Sequence, residues 1–313
     1  MTPKERMITA LNRGVPDRVP TFELEFQLTE ELMGRKHLHE EELQGLPEGE
    51  VQRKLKENAA FLIELYETLE HDAICLHYLS TEHIARTVEY IHELSGDRFM
   101  ILAHGDGTLA IPDGDGLYEL SYALFEEPEE TRRKCRKMAD DAIARNNYLM
   151  DHGMDGFILC SDYCFNQGPF MSPAMFGEFI TPYLRDIIAA IRARGGYAIK
   201  HTDGNIMPII DQLASCHPHA LHSLDPMAGV DIRLVKEQYG RQLALCGNVH
   251  CAAMQTGTEQ DVIDSAEYCL KYGKPGGGYI YCTSNIPFKG LPLDRYLLVL
   301  DVWKKYRDYA PRA

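Results

Sequence analysis

The residues best placed to do chemistry are Lys200-His201-Thr202-Asp203-Gly204-Asn205, directly after the apolar stretch Tyr197-Ala198-Ile199, which reads as a strand. Asp225, Asn248, His250 and Cys282 also follow short apolar runs, as do Glu23, Glu25, Cys160, Asp162, Cys164 and Asn285. In a barrel of parallel strands, residues just past the strand ends converge on one face, where the reaction takes place. An imidazole, a carboxylate and a thiolate meeting there, from His201, Asp203 and Cys282, would form a three-ligand zinc site with an open position. Glu25 and His250 are the alternates for the third ligand. A structural reading stands beside this one: His201 and Asp203 hydrogen-bond a turn before a helix, and Cys282 is a small core thiol.

The elements that must position these groups alternate in type. Segments near residues 20, 74, 100, 157, 198, 221, 243 and 279 read as strands. Helical patterns lie between most of them, including Glu50 to His71, Glu129 to His152 and Pro173 to Arg194. About eight parallel strands alternating with helices predict an α/β fold, a (β/α)8 TIM barrel. Lys4 to Arg13 forms an N-terminal helical extension within residues 1–18, capped by Thr2 with Pro3 in its first turn. Residues 82–120 alternate and contain Gly105-Asp106-Gly107 and Asp113-Gly114-Asp115, which predicts a β-hairpin insertion on the barrel. Residues 1–313 are expected to form one domain.

Composition narrows the function classes. The chain has 32 basic and 47 acidic residues, a net charge of −15, which argues against a broad nucleic-acid-binding surface. No apolar run reaches the roughly 18 residues of a membrane span. Met1-Thr2-Pro3-Lys4-Glu5-Arg6 has no apolar signal core, so a cytoplasmic location is expected. Nine scattered cysteines then read as mostly free thiols.

Several motifs carry a family resemblance. Thr2-Pro3-Lys4-Glu5-Arg6 through Gly14-Val15-Pro16-Asp17-Arg18-Val19-Pro20 resembles the N-terminal helix and first strand of the uroporphyrinogen decarboxylase superfamily. Gln167-Gly168-Pro169-Phe170-Met171-Ser172-Pro173, Phe176, Pro182-Tyr183, His201-Thr202-Asp203-Gly204-Asn205 and Cys246-Gly247-Asn248-Val249 extend it along nearly the whole chain. The resemblance implies a (β/α)8 barrel and offers two chemistries. The decarboxylases grip propionates with an arginine-rich segment near the first strand, where this chain reads Phe22-Glu23-Leu24-Glu25-Phe26-Gln27. A decarboxylase of a polycarboxylate would need Arg18, Arg35, Arg86 or Arg98 in the mouth, and Asp72 lies in the region of the family's catalytic aspartate.

The cobalamin-linked methyltransferases of the superfamily resemble the chain differently. They bind zinc through His-x-Cys and a distant Cys, which His201 and Cys282 match, while Asp203 stands in place of the first Cys. This branch implies methyl transfer between a small methylated substrate, such as an aryl methyl ether, methanol or methylamine, and the corrinoid of a partner protein. His201, Asp203 and Asp162 are the catalytic candidates. Glu23, Glu25, Tyr163, Phe165, Phe170, Met171, Asp225 and Asn248 are the candidates for contacting substrate. A homodimer is compatible with the charge. A reading from another class is a non-catalytic barrel that binds a small ligand.

Overall fold

A computed structural model describes residues 1–309. Seven parallel strands form one curled sheet: β1 (Ala73–Leu76), β2 (Met100–His104), β3 (Gly156–Cys160), β4 (Tyr197–His201), β5 (Ala220–His222), β6 (Ala244–Cys246) and β7 (Tyr279–Ile280). They lie in sequence order. The eighth position is filled by the extended segment at Pro20-Thr21. Thr21 forms a parallel bridge with Tyr281. Tyr281 N–H donates to Pro20 O at 2.9 Å, and Asp72 N–H donates to Thr21 O at 2.7 Å. The expected (β/α)8 order is therefore present, with its first strand reduced to a short seam.

Side chains on a strand alternate between faces, and here the alternation separates two apolar clusters. Ala73, Cys75, Met100, Leu102, Ile158, Ile199, Ala220, Cys246, Ile280 and Cys282 fill the barrel interior. Ile74, Leu76, Phe157, Leu159, Ala198, Leu221, Leu245 and Tyr279 pack outward with the surrounding helices. The N-terminal helix Pro3–Leu11 is capped by Thr2 as expected, and Glu5 completes a capping box. Its Met7, Ala10 and Leu11 join the interior cluster, so this helix closes the end of the barrel where the strands begin.

Two local expectations are corrected. Residues 82–120 do not form hairpins: they contain most of the helix Thr81–Ser95, then β2, a loop, and the first part of the helix Gly116–Glu126. Ser80 accepts from His83 N–H as N-cap, and Ala85, Val88 and Ile91 face the core at helical spacing. The Gly-Asp pairs do mark turns, but between strand and helix. The predicted helix Pro173 to Arg194 is two helices, Pro173–Phe179 and Thr181–Ala193. Pro182 lacks an N–H and opens the second. Among the described residues, no helix is long and apolar enough to cross a membrane.

Candidate metal centre and adjoining cavity

The period-two alternation explains why His201 faces inward. Ile199 belongs to the interior cluster, so His201, two residues on, extends that face at the C-terminal end of β4. Asp203 continues into the following loop. Asp162 comes from the loop after β3, the strand paired with β4. His201 Nε2 lies 3.7 Å from Asp162 Oδ1 and 3.8 Å from Asp203 Oδ1. One ligand atom from each of the three residues falls within 4.8 Å of the others. This is the only such group of three or more His, Cys, Asp or Glu among the described residues.

The surroundings hold each member in place. Asp203 N–H donates to Asp162 Oδ1 at 3.0 Å, which ties the two loops together. Ser223 Oγ donates to Asp203 Oδ1 at 2.7 Å, and Asn285 Nδ2 donates to Oδ2. Ser223 has φ 82°, a left-handed conformation that a serine adopts at a cost. Gly204 at φ +81° is required twice over: a Cβ there would meet Cys164 O at 2.3 Å. Lys200, on the opposite face of β4, donates to Asp106 Oδ2 at 2.8 Å, Leu159 O at 2.9 Å and Ser161 O at 3.1 Å. It thereby fixes the chain next to Asp162.

Protonation is unusual at this end. Burial lowers His201 to about 4, opposed by the nearby Asp162 carboxylate. The imidazole is therefore neutral near pH 7, the form that binds metals. Burial pushes Asp203 up to about 7, opposed by the Ser223 hydroxyl and reinforced by Asp162 and Asp225. His201 Nδ1 lies 2.8 Å from His222 Nδ1, so one ring must donate and the other accept. With His201 donating, its Nε2 presents a lone pair toward both carboxylates.

The converging set differs from the expected one: Asp162 takes the place expected for Cys282. Cys282 is fully buried in the apolar interior cluster. Burial raises its thiol well above the ordinary value, and the Glu23 carboxylate adds to this. The alternates lie elsewhere. Glu25 accepts from Gln27 Nε2 at 2.7 Å and from the Tyr78 hydroxyl. His250 lines a separate groove with Asn248, Asp231 and Tyr268.

A cavity of about 800 Å³ opens beside Asp203, with Phe165, Asp225, Met227, Gln255, Asn285 and Phe288 in its wall. Of the residues expected to contact substrate, Phe165 and Asp225 lie in this wall. The other substrate candidates are not in this wall. Tyr163 is fully buried, bonded through its hydroxyl to Thr108 at 2.5 Å. Met171 is in the outer core and Phe170 packs against it. Glu23 is buried against Thr283, whose Oγ1 donates at 2.6 Å, and burial raises its carboxyl to about 8. Asn248 is buried, with Nδ2 donating to Leu224 O at 2.7 Å. Sequence reasoning missed His222 and Ser223. His222 was within reach, since Ala220 faces inward and His222 follows two residues later.

The arginines required by a polycarboxylate decarboxylase are engaged with carboxylates. Arg18 pairs with Asp72, Arg35 with Glu64, Arg86 with Glu89 and Arg98 with Glu67. None lines the cavity. Asp72 precedes β1, at the opposite end of the barrel, and is salt-bridged there.

Comparison with known structures gives a methyltransferase from Methanosarcina mazei, 16% identical, with a TM-score of 0.74, covering 98% of this chain and 99% of that one. At this identity the likeness establishes the fold. A GH5_18 structure from Bifidobacterium longum subsp. infantis is 10% identical with a TM-score of 0.48, covering 94% and 80%. D-psicose 3-epimerase from Clostridium cellulolyticum H10 is 10% identical with a TM-score of 0.45, covering 79% and 90%. No curated protein sequence matches the chain significantly. The family model for uroporphyrinogen decarboxylase (URO-D) matches residues 113–297, more than half the chain and the span that contains Asp162, His201 and Asp203. The chain belongs to the uroporphyrinogen decarboxylase family.

Proposed function

We propose that the protein is a metal-dependent methyltransferase of this family. It would move a methyl group between a small methylated substrate and the corrinoid of a partner protein. The observation that carries this reading is the convergence of His201 Nε2 with the Asp162 and Asp203 carboxylates at the C-terminal strand ends. The donors fit a divalent cation: one neutral imidazole and two carboxylates that pair with no lysine or arginine among the described residues. Zinc accepts this nitrogen and oxygen set, though without thiolate the site is harder than a sulfur-ligated one. The full-length fold likeness to a methyltransferase supports the choice of branch.

A cation bound here would act as a Lewis acid on the oxygen, nitrogen or sulfur that bears the methyl group. The chain supplies the rest. Ser223 and Asn285 hold the Asp203 carboxylate in one orientation. His222 fixes the His201 ring. Asp162, half exposed, keeps the site accessible from the mouth. Phe165 and Phe288 give the adjoining cavity an apolar side from which water is excluded when substrate enters.

Metal analysis of protein purified without chelator tests the reading. About one zinc per chain is expected in wild type, retained in Cys282→Ala and lost in His201→Ala, Asp203→Ala and Asp162→Ala. Wild type that is metal-free and takes up no added zinc would favour the non-catalytic binding barrel. Zinc-loaded protein is then assayed for methyl transfer with a reduced corrinoid protein.

A further inference from the structure

The wall of the cavity beside Asp203 carries its own information. Its apolar part is formed by Phe165, Met227, Ile286 and Phe288, and its polar part includes the amides of Gln255 and Asn285. Among the described residues, no lysine, arginine or histidine is in the wall, and its charged residues are Asp203 and Asp225. Asp162, with half its side chain exposed, adds a third carboxylate nearby. The basic residues closest in sequence are turned elsewhere. Lys200 is fully enclosed with Asp106, and Lys289 lines a different cavity with Gln27 and Tyr78.

A ligand carboxylate or phosphate entering this space would lose water and find carboxylates in place of a counter-ion. A cation held by Asp162 and Asp203 would offset those two charges and leave Asp225 as it is. Size points the same way. A volume of about 800 Å³ lies in the range of cavities that hold ring-sized ligands, and a one-carbon donor would leave most of it to water. Phe165 is 46% exposed, an unusual exposure for a large aromatic beside a polar site, and it offers a ring face for stacking.

We propose that this cavity takes a ring-sized methylated molecule with no negative charge, stacked on Phe165 and Phe288 and oriented by side-chain amides, and that it rejects carboxylate-bearing analogues. The word methylated rests on the function proposed above, whereas the charge selection rests on the cavity alone.

The test is equilibrium binding to the full-length protein, with and without zinc, so that no turnover is needed. Matched pairs serve as probes: 2-methoxyphenol with 4-hydroxy-3-methoxybenzoate, and methylthiobenzene with 4-(methylthio)benzoate. The neutral member of each pair is expected to bind at least about tenfold tighter, a difference of about 1.4 kcal/mol. Phe165→Ala should weaken the neutral ligands several-fold, and Gln255→Lys should bring the carboxylates level with them or past them. Equal or tighter binding of the carboxylates to wild type would overturn the proposal. So would the absence of saturable binding by both neutral probes. Failure of zinc to load would count against the metal centre and leave these binding outcomes readable.

Discussion

Each end of the barrel holds an aspartate that is largely withdrawn from water, and the two have opposite surroundings. At the end where the strands begin, Asp72 is fully buried. It accepts from Arg18 at 2.9 and 3.0 Å, from Arg6 at 3.2 Å and from Thr21 N–H at 3.0 Å. At the end where the strands finish, Asp203 accepts only from neutral side chains, Ser223 and Asn285, and its charged neighbours are Asp162 and Asp225. The first cluster is complete within the fold. The second keeps an excess of negative charge that the fold does not answer, which is the state expected of a site built for something that arrives from outside.

The sharpest way to break this contrast is at Asp72. Asp72→Ala would leave Arg18 and Arg6 without their buried partner and should cost about 3–5 kcal/mol in urea unfolding. A loss below about 1 kcal/mol would erase the distinction between the two ends.

The next effect is at Asp203 and has the opposite sign. Because Asp203 is raised to about 7, the folded metal-free protein holds a proton that the unfolded chain has released above its ordinary value near 4. Its contribution to stability is therefore present at low pH and lost as pH rises through about 7. Metal-stripped Asp203→Asn should be more stable than metal-stripped wild type at pH 8, with the gap narrowing by about 2–3 kcal/mol on going to pH 5. Thermal unfolding at the two pH values reads this directly. Glu23, raised to about 8, titrates in both proteins and cancels in the comparison, and His201, lowered to about 4, is largely neutral in the folded protein at both pH values.

Zinc affinity sharpens the contrast further. It should fall as pH drops below about 7, because Asp203 must give up its proton to bind the ion. A flat profile from pH 8 to 6 would remove Asp203 from the ligand set. The smallest effect is expected at Arg35, whose pair with Glu64 is about half exposed. Arg35→Ala should change stability by no more than about 1 kcal/mol and leave carboxylate binding untouched.

The barrel was legible because burial writes a period into each strand. Apolar runs at Ala73, Met100, Gly156, Tyr197, Ala220 and Ala244 mark real strands, and the residues after them do gather at one end. The helix Thr81–Ser95 was hidden because Gly-Asp turn signals further on drew its flanks into a hairpin pattern, although its cap at Ser80 and its Ala85-Val88-Ile91 face were present in the sequence. His201 and Asp203 were legible for the same reason as the strands. Asp162 is a catalytic candidate in the sequence but not a ligand candidate there, since its place beside His201 depends on how the loop after β3 is tied down by Lys200 and by Asp203 N–H. Cys282 does not join the converging group, because strand position fixes the face on which a residue lies, not the distance it must span to residues on other strands.

The seam between Thr21 and Tyr281 has a consequence for how the molecule is made. Thr21 Oγ1 donates to a carbonyl that lies 260 residues further along the chain. During synthesis the first strand stays without this neighbour until 260 further residues have been made. Closing the barrel therefore depends on a pairing of very high sequence separation, and before it forms the edges of Pro20-Thr21 and β7 lack their partners.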